Sequence, residues 1–552
     1  MHRPVASSFH SKDVSFTNIP VRKLLLTFAL TLTFLARGEN YDLILRNGQI
    51  IDGTGAPAYH GDVAIANGRV AALGKVDGTA KREIDVVGNV IAPGFIDVHT
   101  HAEDIETLPL AENFLRMGVT SLVLGNCGSS KLDLGKFYND MERKTFSPNI
   151  ASLVGHGTVR AKAMGGSFDR PPSAAELAKM KSYVAKAMDD GAVGMSTGLI
   201  YLPGTFAKTD ELVEVAKVVG ARGGIYTSHM RDEGTHIDDS LSEVFHIARE
   251  GHMRAEVSHI KLSGPTSWHR SEQVLKEIES ARAEGLKITQ DEYAYTASST
   301  SLSQLIPEGA REGGKFKQRI ADPKQKADII KQMHGMLKRR GTPDYSYAVI
   351  ASFRADKSLN GKNVPEAAKM KLGSDSLDNQ IELILDVEKR GGASAVFHGM
   401  DEQDLQTFLR HTNTMIAADS GVRKFGESVP HPRGYGNNAR VLGRYVRELK
   451  VLTLEDAVRK MTGLPAMSFQ LKDRGVLKPG ACADIAVFDP ATVTDNGTYK
   501  DPHHYSTGFK LVLVNGAITV ENDKHIGARN GEVLRLNGSR KSHAHLVSPR
   551  QS

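Results

Sequence analysis

Two histidines separated by one residue, His99 and His101, follow the run Pro93-Gly-Phe-Ile-Asp-Val. In extended backbone, positions i and i+2 share a face, so both imidazoles can meet one cation. Alone, such a pair is a weak signal. The chain adds Cys127 in a Gly-Asn-Cys-Gly turn, His229 after Ile225-Tyr-Thr-Ser, His259 after Ala255-Glu-Val-Ser and Asp419 after Met415-Ile-Ala-Ala. Imidazole, thiolate and carboxylate at the ends of successive apolar runs read as a metal site. This donor mix suits Zn²⁺, whereas Mg²⁺ and Ca²⁺ take oxygen ligands. Bound zinc lowers the pKa of its water to about 7, supplying hydroxide at neutral pH, and polarises a carbonyl. Asp419 is then placed to carry the proton from that water to a leaving amine, as general base and acid.

Such residues must be brought together by the elements that end in them. Short apolar runs alternate with helix-length amphipathic segments, the pattern of parallel β/α units. Strands are read at 95–99, 121–124, 151–154, 193–197, 225–228, 255–258, 288–291 and 415–418. Eight units predict a closed (β/α)8 TIM-like barrel over residues 93–465, with an open doubly wound sheet as the alternative that periodicity leaves standing. In a barrel, catalytic groups converge at the C-terminal ends of the strands, where these metal-competent residues fall. Apolar runs broken by Asn-Gly pairs at 47–48, 67–68 and 515–516 are hairpin signals. They occur at both ends of the chain, which predicts one small β domain made from residues 39–92 and 466–532. The interval 301–364, rich in Lys, Gly and Pro, does not fit one β/α step and reads as a lid insertion.

Composition excludes several classes. The chain has 552 residues, 24% charged and 40% apolar, with two cysteines, which excludes a collagenous, disulfide-stapled or wholly disordered protein. The net charge of +6 comes from 70 Lys+Arg and 64 Asp+Glu that are interspersed, with the excess at 315–340 and after 529. With a single Trp as well, the chain offers no basic stacking platform, and no nucleic-acid partner is expected. No disulfide is favoured between the distant Cys127 and Cys482, the latter read as a small core residue. Residues 21–38 open with two positive charges, followed by an apolar run and a small-residue cleavage site. That is a signal peptide, too short to span a membrane, and it predicts export to a periplasmic or extracellular location, with a cytoplasmic one if the signal is misread. Its depth predicts that 1–20 are a spurious extension and that translation begins at Val21. The tail 533–552 is polar and expected to be disordered.

Further motifs sharpen this reading: Gly125-Asn-Cys-Gly128, Val154-Gly-His-Gly157, Gly194-Met-Ser-Thr-Gly-Leu-Ile-Tyr-Leu-Pro-Gly204, Ser258-His-Ile-Lys261 and His431-Pro-Arg-Gly-Tyr-Gly436. With Pro93 to His101 they resemble the amidohydrolase superfamily, and within it the D-aminoacylase (N-acyl-D-amino-acid deacylase) family, from about Tyr41 to Glu532. The resemblance implies a tight zinc on Cys127, His229 and His259. It also implies a second, weaker metal position on His99 and His101, bridged by Cys127, which stands where many superfamily members use a carboxylated lysine. It implies Asp419 as the catalytic aspartate and Lys261, Tyr293, Ser299 and Arg433 as the grip on the substrate carboxylate.

The expected activity is zinc-dependent hydrolysis of N-acyl-D-amino acids, small-molecule linear amides, to a carboxylate and a free D-amino acid. The alternatives are a cyclic amide or imide hydrolase of dihydroorotase or hydantoinase type, an isoaspartyl-type dipeptidase, and a non-catalytic binding protein on the same barrel. Two departures border the predicted pocket: Ser420 after the aspartate, where relatives carry Ser-Asp-Gly, and Gly436-Asn-Asn-Ala-Arg440. His156 and Arg423 are assigned no catalytic role, and Tyr201 is read as turn and packing chemistry.

Overall fold

The computed structural model describes residues 40–536, so the expected leader (1–20 and 21–38) and residues 537–552 lie outside the described residues. Eight parallel strands form the central sheet: Phe95–Asp97, Val119–Leu124, Asn149–Gly155, Gly194–Gly198, Ile225–His229, Arg254–Val257, Ile288–Glu292 and Thr414–Ile416. The second to fifth and the seventh are buried along their whole length, as strands covered on both faces must be. The ring is completed at its C-terminal rim, where Thr100 pairs with Ser420 and the His101 amide donates to the Ser420 carbonyl at 2.9 Å. The barrel seam thus joins the segments that carry His99, His101 and Asp419.

Helices between the strands pack their apolar faces on this ring. Ala174–Asp189 begins with a capping box, in which the Glu176 amide donates to Ser173 Oγ and the Ser173 amide to Glu176 Oε2. The N- and C-terminal segments share one nine-stranded sheet, in which Val90–Pro93 pairs with both Asn40–Ile50 and Ile485–Phe488. Leu43, Ile65, Ile485 and Leu513 meet in its core. Asn67-Gly68 is a two-residue hairpin turn with φ positive at both residues, as its sequence predicts. Asn47-Gly48 is not a turn: it is a bulge inside Asn40–Ile50, because that strand is paired on both edges and runs on through it.

The insertion is longer than the expected 301–364. Ala297–Ser301, Ser394–His398 and Ala348–Ser352 form an antiparallel sheet in that spatial order, with helices Pro323–Arg340, Val364–Leu372 and Leu377–Lys389 against it. A separate core of residues such as Met333, Ile350, Ile384 and Phe397 holds it together. The central strand comes last in the chain, which is why sequence order alone closed the unit too early. The expected tail also starts too soon. Leu534 donates its amide to the Ile150 carbonyl at 2.7 Å, and Arg535 pairs with Glu142, so residues up to Leu536 are fastened to the barrel.

Candidate active site

The side chains singled out at the strand ends meet at the C-terminal mouth of the barrel. Cys127 Sγ lies 3.2 Å from His99 Nε2, 3.6 Å from His229 Nδ1 and 3.7 Å from His259 Nε2. Three overlapping donor sets form there: His99, His101 and Cys127; Cys127, His229 and His259; and His99, His259 and Asp419. Zinc bonds of about 2.3 Å to sulfur and 2.0–2.1 Å to nitrogen, set at tetrahedral angles, separate the two donors by about 3.5 Å. The spacings of Cys127 from His229 and His259 fit that figure, and the shared thiolate fits two adjacent metal positions.

Burial and charge set the thiol and imidazoles against each other. Burial disfavours the Cys127 thiolate, but His99, His101, His229 and His259 outweigh it and hold the thiol pKa well below its usual value. Burial likewise opposes charge on His99, yet Cys127, Asp291 and Asp419 push its pKa well above the ordinary value. For Asp419, burial is overcome by Arg433, His99 and His101, so its carboxylate is firmly ionised. Asp419 Oδ1 is 3.2 Å from His101 Nε2, and Oδ2 is 2.8 Å from the Arg433 guanidinium.

The backbone is bent to aim these groups. Cys127, His259 and Asp419 have φ of 51°, 36° and 45°, a left-handed region unusual for non-glycine residues. Gly125, with φ of 80°, allows the turn before Cys127, since a Cβ there would lie 2.2 Å from the Leu153 carbonyl oxygen. Asp97 accepts from the amides of His99 and Ala418 at 3.1 and 3.0 Å, tying the first strand to the last. Asp291 faces His99 Nδ1 at 3.2 Å and accepts from the His259 amide at 3.0 Å.

Glu233, which sequence reading missed, orients the tight cluster. Its Oε1 is 2.9 Å from His259 Nδ1 and 2.6 Å from Lys261 Nζ, and Oε2 is 3.8 Å from His229 Nε2. A carboxylate on the far nitrogen of a metal-facing histidine fixes the ring and its tautomer. The only signal was its place four residues after His229. Lys261 also donates to the His259 carbonyl at 2.6 Å, so its ammonium is already engaged.

Arg433 stacks 4.3 Å over the Tyr293 ring and donates to the Ser299 carbonyl at 3.4 Å, which brings three of the expected substrate-binding residues together. One nitrogen of its guanidinium, Nη1, is buried with no hydrogen-bond partner among the described residues. The Tyr293 hydroxyl donates to the Met400 sulfur at 3.4 Å.

Tyr201 is no mere packing residue: its ring lies 4.8 Å from that of His229, its hydroxyl accepts from Thr300 at 3.0 Å, and it lines the cleft on both sides. His156 opens helix His156–Met164 and faces Glu211 at 3.0 Å beside Arg160, a buried cluster apart from the metal donors. Arg423 donates to Ser420 Oγ at 3.3 Å, next to Asp419. The departure at 436–440 sits behind the cleft instead of bordering it, since Asn437 bonds the Ala417 carbonyl and Ala294 amide and Arg440 pairs with Asp495. Cys127 and Cys482 are both free.

Two cavities share Tyr201, Ser299, Thr300 and Asp419, one of about 230 Å³ running under the insertion and one of about 540 Å³ running over Gly128, Thr158 and Pro203. A ligand straddling the metal cluster therefore has room on both sides.

Comparison with known proteins agrees with this geometry. The Amidohydrolase family pattern matches residues 82–520. The chain is 35% identical to N-acyl-D-glutamate deacylase of Alcaligenes xylosoxydans xylosoxydans over 526 residues, covering 91% of this chain and 98% of the relative. It is 36% identical to D-aminoacylase of the same organism over 522 residues, 90% of this chain and 98% of the relative. Among solved structures, N-acyl-D-glutamate deacylase from Bordetella bronchiseptica, complexed with zinc and a phosphonate mimic of the tetrahedral intermediate, superposes with a TM-score of 0.77 at 33% identity, covering 90% of this chain and all of that one. A D-hydantoinase structure, at 14% identity and a TM-score of 0.53, shares the fold alone. The chain belongs to the amidohydrolase family, alongside the N-acyl-D-amino-acid deacylases.

Proposed function

We propose that the protein hydrolyses the amide of N-acyl-D-amino acids, releasing a carboxylate and a free D-amino acid. The observation that carries this reading is Cys127 at the centre of His99, His229 and His259, with the ionised Asp419 beside them, in a cleft open on two sides. Zinc bound to these donors would acidify a water and polarise the amide carbonyl. Asp419 takes the proton of the attacking water and delivers it to the departing amine nitrogen. Arg433 holds Asp419 with one nitrogen and offers the unpartnered Nη1 to the substrate carboxylate. Tyr293 backs that guanidinium, which also donates to the Ser299 carbonyl, and Ser299 and Lys261 line the smaller cavity. Anchoring the carbonyl and the carboxylate leaves the side chain and hydrogen to exchange places between enantiomers, which is the physical basis for preferring D over L.

Amine release by the purified, zinc-loaded protein from paired N-acetyl-D- and N-acetyl-L-amino acids tests the reading. A strong D preference, lost about 100-fold or more in Asp419→Asn with bound zinc retained, is the expected result. No release from any member, with ring opening of hydantoins or dihydroorotate instead, would overturn it. Among the described residues no helix is long and apolar enough to cross a membrane. Export through residues 21–38 belongs to the proposal and rests on their composition; activity confined to the cytosolic fraction of the native cell would contradict it.

A further inference from the structure

The two deacylase relatives match this chain almost equally well, at 35% and 36% identity, so similarity does not choose a side chain for the substrate. The smaller cavity bears on that choice. It runs from His229, His259 and Asp419 to Arg340, the last residue of helix Pro323–Arg340 in the insertion. Basic residues in the last turn of a helix are ordinary, since they oppose the helix dipole. Lys338 and Arg339 are exposed in that role, but Arg340 turns inward.

The guanidinium of Arg340 lies 4.1 Å from the Tyr347 ring centroid, and its Nη1 donates to Ser263 Oγ at 3.3 Å. Its Nε is buried without a hydrogen-bond partner, and no carboxylate lies within 4.0 Å of its nitrogens among the described residues. Burial pulls its pKa below the usual arginine value, and only Tyr347 works the other way. The nearby Lys261 differs, because Glu233 already neutralises it. Gly399 makes room for the fork: a Cβ there would sit 2.0 Å from Arg340 Nη2. A half-buried cation held on an aromatic face, with its Nε buried and unpartnered, is a carboxylate receptor awaiting its anion.

We propose that Arg340 receives a second, distal carboxylate on the substrate, so that the site takes N-acyl derivatives of acidic D-amino acids. This rests on the deacylase reading above. Arg433 grips the carboxylate that every such substrate carries, and Arg340, two residues' reach beyond Lys261 on Ser263, reads the one that only acidic side chains carry.

The test is steady-state kinetics of the zinc-loaded full chain and of Arg340→Met on N-acetyl-D-glutamate, N-acetyl-D-aspartate, N-acetyl-D-leucine and N-acetyl-D-methionine. The wild type is expected to favour an acidic substrate. Arg340→Met is expected to lose about 10- to 100-fold in kcat/KM on it, mostly through KM, with the apolar substrates changed only a few-fold. Gly399→Ala, which crowds the guanidinium, is the second variant and is expected to shift selectivity the same way. A wild type that prefers leucine or methionine overturns the proposal. So does an equal loss on all four substrates, which would make Arg340 a grip on the common carboxylate. If none of the four is hydrolysed, the deacylase reading fails by itself. Calorimetric titration of Asp419→Asn with N-acetyl-D-glutamate and N-acetyl-D-leucine then decides the Arg340 proposal: tighter glutamate binding, abolished by adding Arg340→Met, supports it, and equal binding overturns it.

Discussion

Glu233 bears on two imidazoles and an ammonium at once, and its consequence is testable. Replacing it by Gln keeps the shape but removes the charge that fixes His259 and balances Lys261. Metal affinity of Glu233→Gln is expected to fall about 10- to 100-fold, read by competition with a chromogenic chelator, with far-UV circular dichroism unchanged. At this scale the sequence was legible for donors and nearly silent for orientation. His99, His101, Cys127, His229, His259 and Asp419 could be picked out because their types and their places after apolar runs suit a metal. The positive φ of Cys127, His259 and Asp419 could not, since strain is imposed by the surrounding barrel. Tyr201 and Arg340 were passed over for a related reason: a tyrosine in a Gly-rich run and an arginine at a helix end have ordinary explanations until the cleft is seen.

Among the elements, the eight barrel strands were readable because most contain a short apolar run closed off by polar residues and all alternate with amphipathic helical segments, whereas the insertion was not. Its central strand, Ser394–His398, lies after all the insertion's helices, and its partners Ala297–Ser301 and Ala348–Ser352 are mostly small or polar. Pairing across that separation carries no local signature. The insertion nevertheless has a core of its own, and Met333 within it is fully buried. Met333→Ala is expected to destabilise this unit by about 2–5 kcal/mol. Limited proteolysis should then cleave within residues 302–397 while the barrel survives. Simultaneous loss of both would mean that the two unfold as one.

At the scale of the whole molecule, a buried ion pair of the C-terminal segment sits where the β domain meets the barrel. Arg474 and Asp484 have side chains 3% and 4% exposed. Asp484 also accepts from Asn149 of the third barrel strand at 3.0 Å and from the Asn515 amide at 2.7 Å, while its carbonyl takes the Gly94 amide at 2.8 Å. Removing one partner of such a pair leaves a buried charge uncompensated. Asp484→Ala is therefore expected to cost about 3–5 kcal/mol in urea unfolding, against a smaller loss for Asp484→Asn, which keeps one oxygen able to accept from either the Asn515 amide or Asn149.

The sequence by itself determined the parallel barrel, the β domain built from both ends and the set of metal-competent side chains at the strand ends, because periodicity and residue chemistry are local properties written along the chain. Only the tertiary structure decided which carboxylate steadies His259, where the insertion ends, that 436–440 supports the cleft from behind, and that Arg340 faces the cavity with no counterion among the described residues. Each of those depends on residues tens of positions apart arriving within a few ångströms, and their partners are chosen by packing and burial, which no single segment specifies.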